Sequence, residues 1–267
     1  EGVMGRDPEP FARCILTTDT CAKVAARSVP RGDHEIRVLG IAKGSGMIRP
    51  DMATMLGFLV TDAPVGPELL QQILGRAAER TFNRITVDGD TSTNDTVLAL
   101  ASGAAGGTAL ETDADAREAF GAAVEAVCRD LARMIVRDGE GARKLVDVWV
   151  RGAADDVAAE RAARTIAESP LVKTALHGED PNWGRIAAAL GRSGAYAGGP
   201  FAISLGGVAI VAAGRGLGKE AEAAARRVMR GDEFTIEVRL DEGTGEACVT
   251  TCDFSAEYVS INADYRS

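Results

Sequence analysis

Only two histidines occur in 267 residues, and none of the five cysteines stands in a C-x-x-C pair. That leaves neither a zinc-type ligand spacing nor a disulfide framework. The odd cysteine number (Cys14, Cys21, Cys128, Cys248 and Cys252) fits a reducing compartment, so the expected location is the cytoplasm. No uncharged apolar run reaches membrane length, and no basic stretch leads into an apolar one as in a secretory leader, so no membrane partner is expected. Positive charge is not in excess either. Thirty Lys and Arg against 39 Asp and Glu give a formal charge of −9, which argues against nucleic acid and anionic lipid as partners. No repeat stands out, and compositional bias is confined to the Ala/Gly stretch between Ala101 and Gly107. The chain opens on Glu1 rather than methionine, and the expectation is a fragment or a protein whose front has been removed.

What is present is ordinary for a folded protein. With 46% hydrophobic and 26% charged residues, the chain can bury one large core or two modest ones. Phe11–Leu16 reads as the end of a helix and Thr17-Thr-Asp-Thr20 as a polar turn. His34–Leu39 alternates as a strand does, Lys43–Asp51 is loop, and Met55–Val60 is a short apolar strand. Pro67 opens a helix with Leu69, Leu70, Ile73 and Leu74 on one face. Ile85–Asp88 and Val97–Leu100 read as strands flanking a polar loop. Asp113 or Asp115 caps a helix reaching Arg137, with Phe120, Val124, Val127, Leu131 and Ile135 at helical spacing. Lys144–Val150 is a strand, and Asp155 caps a helix to Glu168 whose alanines imply close packing on a sheet. Ser169–Arg185 mixes loop and helix. Strands at Phe201–Leu205, Val208–Ala212, Phe234–Leu240 and Glu246–Thr251 surround a helix at Lys219–Met229. The fold class is mixed α/β in α+β layers, with a weakly marked boundary near residue 150.

Chemistry concentrates at Ala53-Thr54-Met55-Leu56, where a hydroxyl residue sits between a glycine-rich turn and the apolar strand. A threonine there is most often an ordinary strand residue satisfying a local hydrogen bond. Were the Ala53–Thr54 bond cut, however, one residue would supply both a hydroxyl nucleophile and its own amine base. Lys43-Gly-Ser-Gly46 lacks the spacing of a phosphate-binding loop. Asp88–Asp95 has the composition of a turn. Gly178-Glu-Asp-Pro-Asn-Trp-Gly184 groups two acids, an amide and an indole, and the neighbouring His177, as a solitary histidine, is read as packed rather than as a base.

Taken together, Thr17-Thr-Asp-Thr20, Gly40–Leu56, Thr93-Asn-Asp95, Asp138-Gly-Glu-Gly-Ala142, Ser169-Pro-Leu-Val-Lys-Thr174, Gly178–Arg185 and Ile261-Asn-Ala-Asp-Tyr265 resemble one family in order and spacing. It is the ornithine acetyltransferase family, also called glutamate N-acetyltransferase, of the cyclic arginine pathway. The resemblance spans Thr17 to Ser267 and implies the N-terminal-nucleophile aminopeptidase-like fold of that family. It also implies self-cleavage between Ala53 and Thr54, dividing the chain into the C-terminal part of an α segment (1–53) and a β segment (54–267). Thr54 then carries the acetyl group from N-acetylornithine to glutamate in ping-pong fashion.

Substrate contacts fall on Thr17, Lys43, Thr54, Glu140, Asn262 and the last position, where Ser267 stands in place of the family's usual threonine. From charge, Lys43 suits a carboxylate and Glu140 the cationic side chain of ornithine. The family's oxyanion motif, S-T-G-V-I-G, has its nearest counterpart in Glu1-Gly-Val-Met-Gly5. That places Gly2 at the glycine, but with Glu1 where threonine belongs and too short a distance to Thr17, so the match reads as coincidence and most of the α segment as absent. The resemblance implies no cofactor, with acetyl-CoA an alternative donor in some relatives, and α and β segments paired as a heterodimer that assembles into a heterotetramer. Two other readings stand beside this one: an N-terminal-nucleophile aminopeptidase or amidohydrolase passing the acyl group to water, and a truncated, non-catalytic remnant.

Overall fold

The computed structural model describes residues 7–32, 34–49, 55–91 and 94–264, with residue 34 described by its backbone alone. The chain divides into two compact units, Glu1–Ile85 with Asp90–Asp138 and Thr86–Gly89 with Gly139–Ser267.

The first unit begins with α1 (Glu9–Cys14) and the strands β1 (Lys23–Arg31) and β2 (His34–Lys43), followed by β3 (Leu56–Thr61), α2 (Pro67–Arg80), β4 (Thr96–Ala101) and α3 (Ala114–Arg137). Its sheet runs β1-β2-β3-β4, antiparallel except for the parallel β3–β4 pair. The long helix α3 starts where Asp113 accepts a hydrogen bond from the Ala116 amide, and it buries Phe120, Val124, Val127, Leu131 and Ile135. It lies on β1 and β2, and α2 packs against it. Gly40 makes this close approach possible: a Cβ there would stand 2.4 Å from a Val127 methyl. The opposite face of the sheet leaves Val60, Leu98 and Leu100 exposed, with Phe11 of α1 set edge-on to Phe58.

The second unit has β5 (Leu145–Ala153), α4 (Asp156–Ala167), α5 (Pro170–His177), α6 (Trp183–Arg192), β6 (Ala202–Leu205), β7 (Val208–Ala212), β8 (Arg215–Gly216), α7 (Lys219–Met229), β9 (Glu233–Arg239), β10 (Gly245–Cys252) and α8 (Ala256–Asp264). The sheet order is β10-β5-β9-β6-β7-β8, with only β5–β9 parallel. Asp155 caps α4 through the Ala158 amide at 2.7 Å, and Ala159, Ala162, Ala163 and Ala167 are all fully buried where α4 meets β5 and β10. Small side chains let helix and sheet approach closely, as their number predicts.

Three differences from the predicted elements are physical. Ile85–Asp88 is not a strand: Ile85 makes an isolated bridge and the following residues bend, with the Thr86 amide bonded to the Thr250 carbonyl. Strand β1, polar and bearing Pro30, is fixed by pairing with β2 over its whole length rather than by its own alternation. The tail around Tyr258 forms a helix, α8. Val150 lies within β5.

Candidate active site

In the first unit the turn after α1 carries one group of candidate residues. Thr17 and Lys43 meet, the Lys43 ammonium donating to Thr17 Oγ1 at 3.3 Å. Beneath them Asp19, whose side chain is fully buried, accepts from the Gly44 amide at 2.6 Å, from Lys23 Nζ at 2.7 Å and from the Thr17 amide at 3.3 Å. Lys23 is itself fully buried and reaches a second carboxylate, Asp138, at 2.5 Å. Asp138 also accepts from the backbone amide and hydroxyl of Thr20. Burial pushes the Asp19 carboxyl up, but its bonds to Lys23, Gly44 and Thr17 outweigh that and hold it below the ordinary value.

Lys43 ends β2 directly opposite Leu56 at the head of β3, and the preceding Met55 is buried. Gly44, at φ +155°, closes this corner; a Cβ would press on Ile48 at 3.0 Å and approach Met55 Cβ at 3.6 Å. The Gly44 amide is taken by Asp19, and the Ser45 hydroxyl donates to the Asp138 carbonyl at 2.7 Å. The polar groups of this loop thus serve the protein rather than a phosphate.

The second unit carries a separate group of candidate residues. Glu140 is buried and accepts from Asn262 Nδ2 at 2.7 Å; the same nitrogen donates to the Tyr258 carbonyl at 3.0 Å, one turn back in α8. Gly141, at φ +67°, admits the start of α8, since a Cβ would fall 2.7 Å from the Tyr258 nitrogen. Tyr258 stacks on Phe254 at 4.6 Å, and the buried Lys173 ammonium sits 4.8 Å from the Phe254 ring while donating to Thr251 Oγ1 at 2.9 Å. Asp253 accepts from the Arg143 and Lys144 amides at 2.7 and 2.8 Å and faces His177 Nδ1 at 2.7 Å. His177 is therefore held by a buried carboxylate at the end of α5.

The motif Gly178–Gly184 is likewise used for capping. Asn182 Oδ1 accepts from the Arg185 amide, and Arg185 bonds to the Leu171 carbonyl and Thr174 hydroxyl.

Of the residues expected singly to touch substrate, Thr17 is in contact with Lys43 and Glu140 with Asn262. Gly2, Ala53, Thr54 and Ser267 lie outside the described residues. Sequence reasoning passed over Asp19, Lys23 and Asp138 as supports. The two aspartates stand inside quoted motifs, whereas nothing local marks Lys23 as buried. Among the described residues no cluster of three His, Cys, Asp or Glu could hold a metal ion, and no helix is long and apolar enough to cross a membrane.

The mixed α/β units have the N-terminal-nucleophile-like fold of ArgJ, as the match to a solved ArgJ structure shows. The profile of the ArgJ family matches residues 2–267, and the chain belongs to that family. It is 51% identical over 261 residues to the arginine biosynthesis bifunctional protein ArgJ of Rhizobium meliloti, covering 96% of this chain and 63% of that protein. With the ArgJ protein of Desulfotalea psychrophila the identity is 48% over 273 residues, covering 99% and 68%. The chain thus spans a little under two thirds of the length of the first of these relatives. The crystal structure of ArgJ from Bacillus halodurans superposes with a TM-score of 0.75 at 43% identity, covering 79% of this chain and all of that one.

Proposed function

We propose that this chain belongs to a cytoplasmic glutamate N-acetyltransferase that passes an acetyl group from N-acetylornithine to glutamate. The observation that carries the reading is the corner where Lys43, bonded to the Thr17 hydroxyl, stands opposite the head of β3, two residues after Thr54 in the chain. Family membership and the Glu140–Asn262 pair support it.

Cleavage of Ala53–Thr54 frees the Thr54 amine, whose reference pKa near 8 suits it to act as a base close to neutral pH. Thr54 Oγ attacks the acetyl carbonyl of N-acetylornithine, and its proton passes through the amine to the departing nitrogen. The C–N bond breaks, and ornithine leaves an acetyl ester on Thr54. The amine of glutamate then attacks that ester, releasing N-acetylglutamate and restoring the hydroxyl. Lys43 pairs with the substrate carboxylate and Glu140 with the ornithine ammonium, and Thr17, Asn262 and Ser267 complete the contacts. No cofactor takes part, acetyl-CoA serving at most as another donor. The α and β segments remain paired as a heterodimer that doubles to a heterotetramer.

Intact mass under denaturing conditions, before and after brief exposure to N-acetylornithine, tests this. Two fragments divided at Ala53/Thr54, with one acetyl group on the Thr54 fragment, are expected. An uncut, unmodified chain would refute the nucleophile. Acetate release at the same rate with and without glutamate would make the protein a hydrolase instead.

A further inference from the structure

The contact between Thr17 and Lys43 is long, 3.3 Å, and two flexible side chains on an exposed edge would not hold it unaided. What lies beneath them is rigid. The Asp19 carboxylate is fully buried, and its two oxygens divide the work: one accepts from the Gly44 amide and Lys23, the other from the Thr17 amide, with the Thr17 hydroxyl 3.5 Å away. Resting on the reaction proposed above, we propose that Asp19 is the positioning residue of this part of the site. One carboxylate fixes the Thr17 hydroxyl and the Lys43–Gly44 corner relative to each other, so that hydroxyl and ammonium address the substrate as a single unit.

The chemistry of the surroundings favours this over a merely structural ion pair. Lys23, the counter-charge, is completely buried and shared with Asp138, so two carboxylates meet one ammonium. Such a cluster is a poor source of stability compared with apolar packing. It is, though, a strong means of fixing geometry, because each oxygen must find its donor. Asp138 in turn holds Thr20, the last residue of the same turn, and accepts the Ser45 hydroxyl on its carbonyl. Both the turn 17–20 and the corner 43–45 are therefore tied to the one cluster, and Asp19 is bonded to both.

The test is a double-mutant cycle on the full-length protein. Asp19→Asn keeps the volume but turns an amide nitrogen either on the Gly44 N–H and the Lys23 ammonium together or on the Thr17 N–H, a donor against a donor in each orientation. In the background with Thr17 it is expected to lower kcat/KM for acetyl transfer by about 100-fold, the cost of a misplacement near 1 Å. In the Thr17→Ala background it is expected to cost several-fold less, since the hydroxyl it positions is gone. Equal losses in the two backgrounds would overturn the proposal.

Asp19→Glu, which keeps the charge and moves it by one methylene, serves if the asparagine variant does not fold; wild-type kcat/KM in a folded Asp19→Glu would also overturn it. A readout independent of the reaction separates failure of this proposal from failure of the proposed function. The rate at which an amine-reactive ester labels Lys43, followed by mass spectrometry, should rise several-fold in folded Asp19→Asn. If the wild-type protein transfers no acetyl group, the enzymatic reading falls and this rate alone decides: an unchanged rate removes Asp19 as the positioning group.

Discussion

Replacing Glu140 by glutamine removes one charge and almost no volume, and its consequences can be worked from two contacts. Glu140 is buried and accepts the Asn262 side-chain amide at 2.7 Å. Glutamine keeps an oxygen that can accept the same bond, so folding should lose no more than the worth of one hydrogen bond, about 0.5–1.5 kcal/mol. Binding differs. On the proposed reaction Glu140 faces the ornithine ammonium, and a hydrogen bond to a charged group is worth about 1.5–3 kcal/mol. At 1.4 kcal/mol per decade, KM for N-acetylornithine should rise about 10- to 150-fold. Glutamate has no cationic side chain, so its KM should hold or fall. Initial rates with each substrate varied in turn, together with Tm, measure both effects. An unchanged KM for N-acetylornithine in a folded Glu140→Gln, or equal losses on both substrates, would refute the reasoning.

Other predictions rest on packing and ionisation. Gly40→Ala places a Cβ 2.4 Å from a Val127 methyl and 2.7 Å from one of Leu131, and should destabilise the protein by about 1–3 kcal/mol, read as a fall in denaturant midpoint. Asp19 is held below the ordinary carboxylate value, so its contribution to stability is complete above the unfolded pKa of about 3.9 and is lost as pH falls through the lower folded value. Tm should therefore fall on acidification below pH 4 less steeply in Asp19→Asn than in the wild type. Burial pushes the Cys128 thiol up to about 12 and raises that of Cys252, whereas Cys14 is exposed. Maleimide labelling of the native protein at pH 8, mapped by mass, should mark Cys14 and spare Cys128 and Cys252 until denaturant is added.

The parts of the fold that were legible in the sequence are those decided locally. Helices α3 and α4 announce themselves by apolar or alanine spacing behind capping aspartates, and α7 by its amphipathic run. Strand β1 does not, because its identity comes from the partner β2 rather than from its own residues. Ile85–Asp88 shows the converse: its composition suits a strand, but the pairing stops at a single bridge.

The same division runs through the site. Thr17, Lys43, Glu140 and Asn262 are singled out by motifs whose order is distinctive, and the structure sets Thr17 against Lys43 and Glu140 against Asn262. The cluster that supports the first pair was not legible. A lysine is read as a surface residue by default, and Lys23 is buried between two carboxylates, Asp19 and the distant Asp138, 115 positions away in the chain. His177, read as packed, has a side chain 32% exposed whose Nδ1 is held by the buried Asp253 carboxylate.

The central claim, an acetyl group held on Thr54 between two half-reactions, is tested most directly by isotope exchange. Labelled ornithine is incubated with the protein and unlabelled N-acetylornithine in the absence of glutamate. The account predicts that label enters N-acetylornithine at a rate comparable to overall transfer, because the first half-reaction runs backwards without the acceptor, and that Thr54→Ala abolishes it. Exchange that appears only when glutamate is added would mean that the two substrates react in one complex, and would contradict the acetyl-threonine intermediate.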